Sequence, residues 1–170
     1  MEIEKYMTKT VHAKAITKIE SGKKSRAAGQ RFEKRVREDL EKQGWVVDKW
    51  TNNVELTDAE WHGKLPNWFG KLVPAKPKFV FNPVMKRRVM MGNSSGFPDF
   101  ICYLYTGLEE INHDRKYNII GVESKMNGVL DKQERAKCKW LIENRIFNKI
   151  YIAQKGQKRG EIIYKEFKSV

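Results

Sequence analysis

From Phe100 onward the apolar residues fall into short runs with a two-residue or β-branched pattern, interrupted once by a helical period. Phe100–Tyr105, Asn118–Lys125, Lys149–Gln154 and Glu161–Phe167 read as strands. Asp131–Arg145 reads as a helix with Asp131 at or near its N-cap. Asn112-His113-Asp114 marks a turn between the first two strands, and Gly156–Gly160 another before the last. Upstream, Phe32, Val36 and Leu40 recur every four residues, which predicts a helix over 27–43 that Gly44 stops, with a strand beginning at Trp45-Val46-Val47. The order α, β, insertion, β, β, α, β, β leaves one broad architecture: an α/β fold with a mixed sheet flanked by helices.

The length of 170 residues suits one domain, and 40% hydrophobic residues can build its core. Lys and Arg number 34 against 21 Asp and Glu, a net charge of +13, so the expected partners are polyanions. No apolar run is long enough to span a bilayer, and no long basic amphipathic helix with an apolar face is visible, so a membrane is a poor fit. The N-terminus has no continuous apolar segment, so no secretory signal is expected. Cys102 and Cys138 stand alone, and His12, His62 and His113 are scattered with no Cys near them. That argues against a zinc site or a disulfide framework and fits the cytoplasm, or a host cytoplasm for a viral protein.

Residues 1–26 read as a polar, basic arm with at most a short helix, ahead of a domain over 27–170. Lys23, Lys24 and Arg26 are its candidate phosphate contacts; a merely solvated tail is the plainer reading. Residues 51–95 form an insertion after the first strand that holds Pro66, Pro74, Pro77 and Pro83. From Lys64 to Asn93 there is no acidic residue, and Trp68, Phe69, Phe79 and Phe81 lie among the cations. Short strands or an extended loop are expected around Lys78–Asn82 and Lys86–Met91. An irregular cover over the core would explain the segment, but cations interleaved with aromatics also make a groove wall for nucleic acid. Its candidate contacts are Lys76, Lys78, Lys86, Arg87 and Arg88.

Pro98-Asp99 opens one strand, and Glu123-Ser124-Lys125 ends the next. Alternation puts Glu123 and Lys125 on one face. If the two strands form a hairpin, Asp99 and Glu123 meet at one rim. Two adjacent carboxylates repel unless a divalent cation lies between them, and hard oxygen donors suit Mg²⁺ or Mn²⁺. A cation beside them, Lys125, would meet charge developing on a phosphodiester. A surface Glu/Lys pair is the plainer reading, since Glu166-Phe167-Lys168 repeats the pattern on the last strand. On the following helix Gln133 and Lys137 are one turn apart, near an N-terminus that favours anions. Glu33 sits beside the apolar stripe of the first helix and could point towards the sheet rim.

Gly96-Phe97-Pro98-Asp99, Glu123-Ser124-Lys125 and Gly128 with Gln133 resemble the PD-(D/E)xK nuclease superfamily, most of all its virus-type replication-repair nucleases. Gly29, Glu33, Gly44 and the aromatic-Val-Val that follows resemble the archaeal Holliday junction resolvases. The resemblance covers 27–50 and 96–155, about half the chain. It implies a restriction-endonuclease-like fold and Mg²⁺- or Mn²⁺-dependent cleavage of DNA, selective for Holliday junctions or other branched structures. By position it implies Asp99, Glu123 and Glu33 as the metal environment, Lys125 assisting the water and Gln133 orienting a phosphate or water. A resolvase cuts two strands symmetrically, so a homodimer is expected, with exposed apolar residues near Trp140 and part of the insertion as its surface. The insertion 51–95 departs from compact resolvases. Two other readings stand beside this one: a non-catalytic nucleic-acid-binding module on a nuclease scaffold, and RNA cleavage.

Overall fold

The computed structural model describes residues 2–56, 70–76, 79–82, 85–90, 96–108 and 115–168, with residues 2–20, 80, 82 and 90 described in their backbone alone. The chain divides into two compact units within its first helix, between Arg35 and Val36. The first unit is helical. Helix α1 spans Glu2–Lys42, so the segment 1–26, expected as an arm with at most a short helix, is helical over its described residues. No proline occurs before Pro66 to interrupt it.

The second unit begins with the last turns of α1. The helix ends in a Schellman motif: the Gly44 amide donates to the Glu41 carbonyl at 3.0 Å and the Trp45 amide to that of Leu40 at 3.1 Å. Gly44 takes φ +89°, which glycine adopts without steric cost. The chain is thereby turned straight into β1 (Val46–Lys49).

A five-stranded sheet follows, in the order β1-β6-β7-β8-β9. Strand β6 is Phe100–Leu108, β7 is Arg115–Ser124, β8 is Lys149–Lys155 and β9 is Ile162–Glu166. All neighbours are antiparallel except β7 and β8, which are parallel and joined through helix α2 (Lys132–Glu143). The α/β class and the mixed sheet expected from the sequence are thus present. Two hairpins lie in the inserted region: β2 (Asn52–Glu55) with β3 (Lys71–Pro74), and β4 (Phe79–Asn82) with β5 (Arg87–Met90). The second fits the expected strand segments; the first was not legible, since Asn52 and Asn53 have low strand preference.

Strand alternation separates two buried layers. Leu130, Cys138, Leu141, Phe147, Ile150 and Ile152 cluster on the α2 side, with Trp50, Val54, Leu72 and Phe97 from the first strand end, the β2–β3 hairpin and the Gly96–Asp99 segment. Phe100, Cys102, Ile120 and Val122 are buried on the opposite face. Each fully buried side chain of this size contributes roughly 1.5–3 kcal/mol by leaving water. Trp140 belongs to the α2-side core at 5% exposure. Cys102 and Cys138 are free and buried, and burial pushes the Cys102 thiol up to about 12. Among the described residues, no helix is long and apolar enough to cross a membrane.

Candidate active site

The register of β6 on β7 sets Phe100 opposite Val122, so the next pair towards the rim is Asp99 and Glu123. The two carboxylates lie side by side there. The Asp99 amide donates to Glu123 Oε2 at 3.1 Å, and the Ser124 amide donates to Asp99 Oδ2 at 2.9 Å. Each side chain is thus fixed by the backbone of the opposite strand. Asp99 is further held by the residue after β1: the Trp50 amide donates to its carbonyl at 3.1 Å. The Phe97–Pro98 bond before it is cis.

Glu123 is 6% exposed, the one charged residue in the buried set of the described residues. Burial, and then the neighbouring Asp99 charge, push its carboxyl up to about 8, with Lys125 opposing. Burial likewise raises Asp99, against the Ser124 amide and the charges of Lys49 and Lys125. The pair is therefore costly as two anions and calls for a further positive charge.

Lys125 supplies part of it. Its Nζ lies 3.4 Å from Glu123 Oε1 and bonds to Glu134 Oε1. Burial lowers its pKa, but the ion pairs with Glu134 and Glu123 outweigh that and leave it raised. The Lys125 amide is anchored on the Ala153 carbonyl of β8 at 2.8 Å. The following turn needs Gly128, at φ +69°, where a β-carbon would strike the Gln154 side chain.

Glu134 was not legible as a site residue. It is the third residue of α2 and closes a capping box: its amide donates to Asp131 Oδ1 at 2.8 Å, and its Oε2 accepts the Asp131 amide at 2.9 Å. Asp-x-x-Glu before an apolar run is a capping signature, so the cap was readable, though not its reach to Lys125. Lys49 was also missed. It ends β1 opposite Phe100, with Nζ 4.7 Å from that ring, and burial lowers its pKa against the pull of Asp99 and Glu123. Only strand pairing brings it there.

The other expected residues are placed as follows. Gln133 is exposed on the first turn of α2 and makes no described bond to the carboxylates; its neighbour Glu134 reaches the site instead. Lys137 lies one turn further, with Nζ 5.6 Å from the Phe97 ring, beside the Pro98-Asp99 corner. Glu33 lies on α1 in the first unit. Lys23, Lys24 and Arg26 are exposed on the same helix. Lys76 is exposed, with Glu55 Oε1 at 3.8 Å. Lys86, Arg87 and Arg88 are exposed on the β4–β5 hairpin, where Arg88 pairs with exposed Phe81. Lys78 lies outside the described residues, as do Trp68, Phe69 and the turn at 112–114.

The residues that could hold a cation are Asp99 and Glu123, two hard oxygen donors with Lys125 alongside. Among the described residues, no group of three or more His, Cys, Asp or Glu is arranged to hold a metal ion. Two carboxylates match the way Mg²⁺ is held, through one or two protein carboxylates with water and substrate phosphate completing the octahedron. A soft or tetrahedral site is a poor match. Compared with known proteins, the chain matches no family model, no curated protein and no solved structure.

Proposed function

We propose that the chain is a metal-dependent DNA endonuclease of the PD-(D/E)xK type, with a restriction-endonuclease-like fold and selectivity for branched DNA. The observation that carries this reading is the juxtaposition of Asp99 and Glu123 at the rim of β6 and β7, with Lys125 Nζ 3.4 Å from Glu123 Oε1. Asp99 and Glu123 are the residues that would hold Mg²⁺ or Mn²⁺, and such an ion would supply an activated water and charge neutralisation at a phosphodiester. Lys125 orients the attacking water or meets the charge developing on phosphorus. Glu134 holds Lys125 from the cap of α2. Gln133 is the phosphate- or water-orienting residue that the resemblance implies.

The net charge of +13 supports a polyanionic substrate. The exposed Arg87 and Arg88, with Phe79 and Phe81 exposed on the paired strand, support a nucleic-acid contact by the insertion. Such contacts position the substrate and carry no sequence information by themselves. Symmetric cutting of a four-way junction requires a two-fold homodimer.

The test is cleavage of labelled duplex, single strand, flap and four-way junction in Mg²⁺, Mn²⁺ or EDTA, with Glu123→Gln alongside. Metal-dependent cuts that vanish in the variant support the reading, and paired cuts across a junction support the resolvase form. Binding without cleavage under either metal favours the non-catalytic module, and cleavage of matched RNA but not DNA would move the substrate to RNA.

A further inference from the structure

The face of β6 and β7 that carries Asp99 and Glu123 does not end at the site. Alternation places Ile101, Tyr103 and Tyr105 on the Asp99 face of β6, and Gly121, Ile119 and Tyr117 on the Glu123 face of β7. Ile101 is packed against the α2-side core, but the next two pairs along the ladder are open. Tyr103 is 38% exposed, Tyr105 52%, Tyr117 43% and Ile119 37%. Tyr105 lies directly opposite Tyr117 and Tyr103 opposite Ile119. The rings meet edge to face, with centroids 5.7 Å apart for Tyr105–Tyr117 and 6.3 Å for Tyr103–Tyr117. Beyond them, on the same face of β7, stands exposed Arg115.

Contiguous exposed apolar side chains of this kind can mark an interaction site. Its make-up favours one occupant. The exposed side chains are mostly aromatic, and aromatic rings on an open sheet face stack with any base. Arg115 adds a cation for a phosphate at the far end, in a chain of net charge +13. In sequence, Glu109, Glu110 and Asp114 precede Arg115, so the cations credited to this face are those of the strand itself. The patch continues on the same two strands to the carboxylate pair: Tyr103 is four residues from Asp99, about 13 Å along an extended strand.

We infer that this tyrosine face is a docking surface for the unstacked bases of a single-stranded nucleic-acid segment running towards the Asp99–Glu123 pair. The inference rests on the proposed function and narrows its substrate: the cleaved DNA has an unpaired arm beside the cut. Stacking needs the rings and not their hydroxyls.

The experiment reads binding apart from turnover. Fluorescence anisotropy is measured in EDTA with the full chain carrying Glu123→Gln, on a labelled 20-nucleotide oligothymidylate and on a duplex of equal length. Tyr105→Ala and Tyr117→Ala are added singly, with Tyr105→Trp and Tyr117→Phe as ring-retaining controls and circular dichroism checking the fold. Each alanine weakens single-strand binding by about fivefold or more, leaves duplex binding within twofold, and is not mimicked by the ring-retaining forms. Unchanged single-strand binding, or an equal loss on duplex, overturns the inference. So does a wild-type dimer in sedimentation that the alanine variants dissociate, because a second copy then covers this face. These readings do not depend on metal or cleavage, so failure of the nuclease reading is seen separately, in the cleavage panel.

Discussion

Asp99 and Glu123 hold one another through the main chain: the Asp99 amide binds Glu123 Oε2 at 3.1 Å, and the amide that follows Glu123 binds Asp99 Oδ2 at 2.9 Å. Two like charges are thus fixed in place by the ladder geometry of β6 and β7. A cation is not needed to assemble them; a proton on Glu123 relieves their repulsion and its burial, and a bound cation would do the same. A functional site that is costly to the empty fold has a recognisable signature: removing its charges stabilises the protein while abolishing activity.

The pH dependence follows from the two raised carboxyls. With Glu123 pushed up to about 8, the folded state binds more protons than the unfolded state between the ordinary carboxylate range and that value. Its penalty is absent below the unfolded pKa and grows as pH rises through the window. Asp99, also raised, acts in the same direction. Thermal unfolding in EDTA will show a lower Tm at pH 8 than at pH 5, by more in the wild type than in Glu123→Gln. Equal slopes in the two proteins would mean that Glu123 ionises normally.

Lys125 is 28% exposed along its side chain, open enough to meet a substrate while tied to Glu123 and Glu134. Lys125→Ala will lower kcat by about 10²–10³, the cost of losing one charge-stabilising group, and leave DNA affinity within a few-fold. Single-turnover kinetics with separately measured Kd checks this. A loss confined to affinity would make Lys125 a phosphate contact only.

Glu134 and Gln133 are neighbours with different surroundings. Glu134→Ala removes half of the capping box and the partner of Lys125, and will cost about 1–2 kcal/mol in urea unfolding. Gln133→Ala, on an exposed side chain, will stay within about 0.5 kcal/mol. Equal values would remove the special role of the Glu134 carboxylate.

Gly121 lies beneath the Pro98-Asp99 corner. A β-carbon there would stand 2.8 Å from Pro98 Cγ, 3.2 Å from Phe147 and 3.3 Å from Ile150. Gly121→Ala will destabilise the fold by about 1–3 kcal/mol through overpacking. It will also cut cleavage at temperatures where the protein remains folded, since Pro98 must shift and Asp99 follows it. Full activity in a folded Gly121→Ala protein would show that the corner tolerates the shift.

The exposed arginines of the β4–β5 hairpin give a salt test. If Arg87 and Arg88 each contact a phosphate, changing both to Ala will make the slope of log K against log salt shallower by roughly 1.8 on duplex DNA. An unaltered slope would take the hairpin out of the interface.

Much of the second unit was readable before its structure. The apolar periods of Phe100–Tyr105, Asn118–Lys125 and Lys149–Gln154 gave the strands because alternation is a local property. Asp131 and Gly44 gave helix ends because caps depend on a few adjacent residues. The meeting of Asp99 with Glu123 needed one added assumption, a hairpin, and that hairpin is present. What was not readable depends on distant pairing. Lys49 comes beside the carboxylates only through β1 on β6, and Glu134 only through the packing of α2 against β8 and the bend at Gly128. The long α1 was missed because residues 1–26 lack a clear apolar stripe, although nothing in them breaks a helix.

The most direct measurement is calorimetric titration of Mn²⁺ into the wild-type protein, Asp99→Asn and Glu123→Gln at pH 7.5. If Asp99 and Glu123 form the metal centre, the wild type binds the ion and releases protons on doing so, and each single substitution removes that binding with the fold intact. Absence of binding to the wild type, or binding that survives in both variants, would contradict a metal centre on this pair.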